Sequence, residues 1–280
     1  MVKVIVESGA TKSDWRIIES GKQTGQFLCA GMNVSSMPLE AIKATLSDGF
    51  KKIGSTEMEG FYLYAAGVVT PEIRTEITEH IKTLADVSEI EVQNDLIGAA
   101  RAVCGHSKGI VAIIGTGSNT CFFDGENISQ KVMAGGFILG DDGSGAVLGK
   151  LFLADYLKGL VPEPIKSDFE SKFDSTYAGI VANVYKSESP SGYLGKIAPF
   201  VVSHYDEPYA KELVDRNFRN FITRSLKHYD TSNHPVGVVG GFGTANKDKF
   251  TRLCEEEGIK VGRFVMAPVE GLIDYHTGKI

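Results

Sequence analysis

The chain has 280 residues, 42% hydrophobic and 23% charged, with a net charge of −6. That is the composition of a soluble globular protein, long enough for one large domain or two ordinary ones. An acidic balance without a basic cluster argues against nucleic acid as a partner, and no apolar run approaches a membrane span, so a cytoplasmic protein is expected. The four cysteines, Cys29, Cys104, Cys121 and Cys254, are scattered and include no CxxC pair, which reads as free thiols in a reducing compartment. The histidines form no HxxxH or HExxH pattern, so a structural zinc site has no support.

In chain order, the first half opens with three strands, Val2–Val6, Trp15–Glu19 and Gln26–Cys29, turning at Gly9 and Gly21. Pro38 starts a helix whose Leu39, Ile42, Leu46, Phe50 and Ile53 recur at helical spacing. A strand Phe61–Ala65 and a helix Pro71–Leu84 follow, then a short strand Ile90–Val92 ending at Asn94-Asp95, and a helix Leu96–Cys104. The pattern is βββαβαβα. The second half restarts it with strands Gly109–Ile114, Cys121–Phe123 and Ser129–Met133, followed by a glycine-rich segment over 135–145. A helix from Ala146 to about Leu160 leads into a helical insertion, about 161–229, expected to be roughly a helical hairpin. After it come a strand Val236–Val239, a turn at Gly240-Gly241-Phe242-Gly243, a helix Asn246–Glu256, a strand Lys260–Val265 and a closing helix. We therefore expect α/β architecture with two duplicated domains, 1–107 and 108–280, sharing a cleft because no linker separates them. The final helix, about 269–277, is able to pack back on the first domain.

Two stretches carry chemistry. Ile113-Ile114-Gly115-Thr116-Gly117-Ser118-Asn119-Thr120 is a strand, a small-residue turn and a returning strand, which reads as a β-hairpin. Glycine lets such a turn aim several N–H groups one way, and with Thr and Ser hydroxyls these form a pocket for phosphate oxygens. It is not the strand-to-helix phosphate loop, because no Gly-Lys-Ser/Thr follows. The design recurs at Val4-Ile5-Val6 and Glu7-Ser8-Gly9-Ala10-Thr11-Lys12-Ser13, where aligning Gly9 with Gly117 sets Ser8 on Thr116. Either turn alone reads equally as an ordinary hairpin; one opening each half points to nucleotide binding. Asp95, just past a strand end, is by itself a good N-cap for the helix that follows.

Taken together, the segments Glu7 to Trp15, Asn94 to Ala100, Gly115 to Asn119, Gly140-Asp141-Asp142-Gly143-Ser144-Gly145 and Val239 to Gly243 resemble the sugar-kinase, actin and heat-shock-chaperone superfamily. Within it, the chain resembles the BadF-type ATPase and N-acetylglucosamine kinase family along nearly its whole length. The resemblance implies two ribonuclease-H-like domains flanking an ATP and substrate cleft, ATP and Mg²⁺ as cofactors, and a small-molecule sugar substrate. It implies Asp95 as the base that takes a proton from the sugar hydroxyl, with Gly9, Ala10, Thr11, Lys12, Thr116, Gly117 and Ser118 on the phosphates. Gly240, Gly241 and Gly243 would then let the backbone approach the adenosine, and Asn33, Gly135, Gly136 and Asp141 would hold the sugar together with Asp95. Glu7 stands where many members carry Asp, and would reach Mg²⁺ through water. Phe137 stands where the kinases carry Trp after the paired glycines. The reaction implied is phosphorylation of N-acetylglucosamine or a close relative, in a homodimer. A BadF-type ATPase coupled to a partner protein and a nucleotide-dependent sugar sensor are the alternatives.

Overall fold

The computed structural model describes residues 2–9, 12–34, 37–55, 57–68, 70–187 and 189–280, and every count below is of these residues. They divide into two units, Met1–His106 with Ala267–Ile280, and Ser107–Met266.

In unit 1, β1 (Val2–Ser8), β2 (Lys12–Glu19) and β3 (Lys22–Ala30) form an antiparallel meander. Next come α1 (Leu39–Ile53), β4 (Glu57–Ala65), α2 (Pro71–Leu84), β5 (Asp86–Asn94) and α3 (Asp95–Cys104). The five-stranded sheet has the order β3-β2-β1-β4-β5, with β4 parallel to β1 and β5 parallel to β4. Parallel neighbours need crossover helices, which α1 and α2 supply. Their buried stripes, Ile42, Leu46 and Phe50 on α1 and Ile77 and Ile81 on α2, are those the spacing predicts. They cover the fully buried Trp15, whose ring stacks on Phe27 at 5.5 Å between centroids and meets Phe50 and Phe61 edge-on.

Unit 2 repeats the plan. β6 (Gly109–Ile114), β7 (Ser118–Phe123) and β8 (Ile128–Val132) form its meander. A helical turn α4 (Gly136–Leu139) and α5 (Gly145–Leu157) precede α6 (Glu163–Lys172), α7 (Tyr177–Tyr185), α8 (Pro190–Ser203) and α9 (Pro208–Arg224). The chain then forms β9 (Val236–Val239), α10 (Gly241–Ala245), α11 (Lys247–Glu256) and β10 (Val261–Val265). Read as β8-β7-β6-β9-β10, the sheet has the same order and strand senses as that of unit 1.

The insertion is four helices, α6 to α9, rather than a hairpin. Pro164, Pro190 and Pro208 each lie in the first turn of one of them, where a missing N–H costs nothing, and so divide the segment. The glycine turn after β9 passes into the short helix α10 within one residue, and β3 and β5 are longer than their apolar cores alone suggest.

The last helix, α12 (Pro268–His276), belongs to unit 1. Its His276 receives or gives a 2.8 Å hydrogen bond with Tyr64 Oη and stacks on Tyr62. Arg101 Nη1 donates to Tyr64 Oη and to Glu91, each at 2.7 Å. Burial drives His276 down to about 3, so it stays neutral. Among the described residues no helix is long and apolar enough to cross a membrane.

Candidate active site

Three parallel strands of unit 1 end level with one another. Ser8 of β1 pairs with Ala65 of β4, and Ala65 with Asn94 of β5. Carboxyl ends of parallel strands are where α/β sheets bind ligands, because the following loops open there together. Glu7 lies one residue before this edge, and the Gly9 turn and Asp95 lie just beyond it. The segment carrying Asn33 is drawn to the same edge: Met32 N–H donates to Ser8 Oγ at 2.7 Å and Val34 N–H to the Ala66 carbonyl at 2.9 Å. Ser8 and Ser13 are fully buried, so the hairpin that carries Glu7 and Lys12 is fixed by polar contacts as well as by its ladder. Ala10 and Thr11 lie outside the described residues.

The Glu7 carboxyl is pushed up to about 7, first by burial, then by the neighbouring Asp95 and Asp14, with Lys12 opposing. Asp14, a cross-strand partner of Glu7, is itself held by Arg16 through Nε to Oδ1 at 2.6 Å and Nη2 to Oδ2 at 2.8 Å. Asp95 opens α3, but Asn94 is the cap residue: its Oδ1 accepts the Leu96 N–H at 2.7 Å. Asp95 Oδ1 shares that donor at 3.0 Å.

In unit 2 the strand ends also line up, since Ile113 pairs with Val239 and Val239 with Val265. The phosphate-type turn at Gly115 to Gly117 is closed by Gly115 N–H to the Gly117 carbonyl at 2.9 Å. It lies against the second glycine turn. A Cβ on Gly240, at φ +120°, would stand 2.6 Å from the Ile114 carbonyl oxygen, so only glycine fits there. Beside both turns is a pocket of about 560 Å³, lined by Thr116 and Gly241 and by Pro199, Val202, Phe242 and Asn246. Its volume and largely apolar wall suit a nucleoside. The α8 residues reach it because α8 packs tightly on α5: a Cβ on Gly149 would fall on the Leu194 carbonyl oxygen.

A second, smaller cavity of about 100 Å³ is lined by Ser118, Asn119, Gly135, Asp141, Asp142 and Arg224. Gly136 starts α4 directly after Gly135. Asp141 adopts φ +53°. Its carboxyl is raised, by burial first and also by Asp142, with the nearby Ser118 backbone and Lys150 opposing the rise.

Each unit thus gathers its own predicted residues: Glu7, Gly9, Lys12, Asn33 and Asp95 in one, and Thr116, Gly117, Ser118, Gly135, Asp141, Gly240, Gly241 and Gly243 in the other. Sequence reasoning missed Asp14, the α8 wall and Asn246. The small-residue spacing Gly145, Gly149 and Gly195 signals a close helix pair, and Pro199 within it marks the exposed stretch. Among the described residues no group of three or more His, Cys, Asp and Glu side chains is arranged to hold a metal ion by itself.

No family model and no curated protein matches the chain. Solved structures do. A proposed N-acetylglucosamine kinase from Porphyromonas gingivalis is 36% identical, with a TM-score of 0.88 and 98% of each chain covered. A proposed N-acetylglucosamine kinase from Chromobacterium violaceum has a TM-score of 0.73 at 17% identity over 98% of each chain, a likeness of fold. A ROK family glucokinase from Streptomyces griseus, in complex with glucose and AMPPNP, has a TM-score of 0.60 at 15% identity over 98% of each chain, again a likeness of fold. On this identity and coverage, with both sheets in the order of the two-domain actin-like fold, the chain belongs to the N-acetylglucosamine kinase family of carbohydrate kinases.

Proposed function

We propose that the protein phosphorylates an amino sugar, N-acetylglucosamine or a close relative, at the expense of ATP. The observation that carries the reading is the meeting of Glu7, Asp95 and the Asn33 segment at the carboxyl ends of β1, β4 and β5. The Porphyromonas gingivalis relative supports the amino-sugar class.

Asp95 takes the proton of the attacking sugar hydroxyl. That oxygen bonds to the γ-phosphorus as the bond to the β,γ-bridging oxygen breaks, and ADP leaves. Such a base needs a carboxylate at a strand end rather than in a helix interior, and Asp95 has one. Lys12 lies on the same hairpin as Glu7 and offsets charge on the transferred group. In unit 2, the Thr116, Gly117 and Ser118 turn grips phosphate oxygens, and the pocket beside Gly240, Gly241 and Gly243 receives the adenosine. Asp141 accepts hydrogen bonds from sugar hydroxyls, and Gly135 and Gly136 let the backbone come close to the ring.

The donor set fits Mg²⁺. A carboxyl as crowded by other carboxylates as Glu7 favours a nearby cation, and Mg²⁺ takes one or two carboxylates, its own waters and nucleotide phosphates rather than an all-protein cage. Bound there, Mg²⁺ would supply charge neutralisation to the phosphates, and Glu7 would hold it through water. The same reading carries a cytoplasmic setting and a homodimer.

The test is ADP release with Mg-ATP against a panel of acetylated and free amino sugars. One sugar should stimulate strongly, and Asp95→Asn should lower kcat by roughly 10²–10⁴-fold while AMPPNP still binds. Sugar-independent hydrolysis, or stimulation that survives Asp95→Asn, refutes the assignment.

A further inference from the structure

Asp141 touches the phosphate turn directly. Its carboxylate packs on the open face of Gly117, with Oδ2 2.8 Å from where a Gly117 Cβ would stand. A side chain at position 117 would displace that carboxylate. The Ser118 hydroxyl is engaged as well, donating to the Asp142 carbonyl at 2.8 Å. The turn that should grip phosphate therefore has an anion of the protein's own packed against it.

We infer that Asp141 decides which acceptor receives the phosphoryl group: its carboxylate occupies the phosphate turn until sugar hydroxyls draw it away, so ATP is gripped fully only when the sugar is present. This rests on the reading above, in which Ser118 meets phosphate and Asp141 meets the sugar. A carboxylate and a phosphate at the same turn exclude each other sterically and repel each other. Sugar hydroxyls held in place at the cavity can satisfy the departing carboxylate and keep it away from the turn.

The surroundings localise the movement to one side chain. The loop backbone is fastened to the turn by Gly145 N–H to the Gly115 carbonyl at 2.9 Å and Ala146 N–H to the Thr116 carbonyl at 3.0 Å. From α9, the fully buried Asn217 accepts the Gly143 N–H at 2.9 Å and donates to the Ser144 carbonyl at 3.1 Å. Two turns further on, Arg224 holds the Asp142 carboxylate at 3.0 Å. Loop, turn and Asp142 form a fixed frame, in which the Asp141 carboxylate alone faces the turn.

The experiment is calorimetric titration of AMPPNP, without sugar, into the wild type, Asp141→Ala, Asp141→Asn and Asp142→Asn, and into the wild type with N-acetylglucosamine. Sugar-free Asp141→Ala should bind AMPPNP about tenfold tighter than the sugar-free wild type and hydrolyse ATP faster without sugar. Asp141→Asn, which tolerates the same positive φ and so keeps the loop, should tighten binding by a smaller factor in the same direction. Asp142→Asn, which removes the neighbouring charge, should bind as the wild type does. The inference is overturned if Asp141→Ala and Asp141→Asn bind no tighter than the wild type, or if Asp142→Asn tightens binding equally, since the effect would then be general electrostatics. Failure of AMPPNP to bind any form, with or without sugar, would instead bring down the nucleotide reading and this inference together.

Discussion

Replacing Glu7 with Gln should stabilise unit 1 strongly at pH 8 and much less at pH 5. The Glu7 carboxyl goes from an ordinary 4.5 to about 7 in the fold, through burial and the adjacent Asp95 and Asp14. Between those values the folded state holds a proton that the unfolded chain has released. Stability therefore falls as pH rises through that window, and the whole cost is incurred above 7. The displacement is worth roughly 3 kcal/mol at pH 8 and about 1 kcal/mol at pH 5. Gln imitates the protonated form and escapes this cost at both. Trp15, the single tryptophan, is fully buried in the core of unit 1, so its fluorescence in urea follows that unit alone. With a denaturant slope of roughly 1–3 kcal/mol per molar, the midpoint at pH 8 should rise by about 1 M or more. A gain of the same size at pH 5, or a loss at pH 8, would refute the argument that Glu7 ionises against its neighbours.

Two further outcomes follow from packing and titration. Gly149→Ala places a methyl against the Leu194 carbonyl and should force α5 and α8 apart, at roughly 1–3 kcal/mol in a thermal melt. Because Pro199 and Val202 of α8 line the larger pocket, the KM for ATP should rise more than kcat falls. His276 runs opposite to Glu7: its folded value is depressed to about 3 from an ordinary 6.5, so its contribution is present above 6.5 and lost as pH falls toward 3. His276→Gln, which can still bond Tyr64 Oη, should flatten the difference in unit 1 stability across that window, by a few kcal/mol in the same fluorescence assay.

The sequence by itself determined the two βββαβαβα halves, because both signals it used are local. Apolar spacing in α1 and α2 reports which face is buried, and a glycine turn after an apolar strand reports a hairpin whatever surrounds it. The same locality made Gly9, Gly117 and Gly240 legible as turns, and the order of motifs carried the family. What it left undecided depends on partners distant in the chain. The insertion over 161–229 showed apolar helical faces but not their arrangement. That α8 supplies a pocket wall depends on Gly149 meeting Leu194 across an interval of 45 residues. Asp14 could not be seen beside Glu7 as an acidic neighbour without the β1–β2 register. The role of Ser118 changed most. As sequence it offers a hydroxyl and an N–H to phosphate; in the folded unit the Asp142 carbonyl takes the hydroxyl and the Asp141 carboxylate packs on the turn beside it, both more than twenty residues on. Charge on a side chain is written in the sequence, but whether that charge faces water, a cation or another carboxylate is set by burial and proximity, which only the tertiary structure decides.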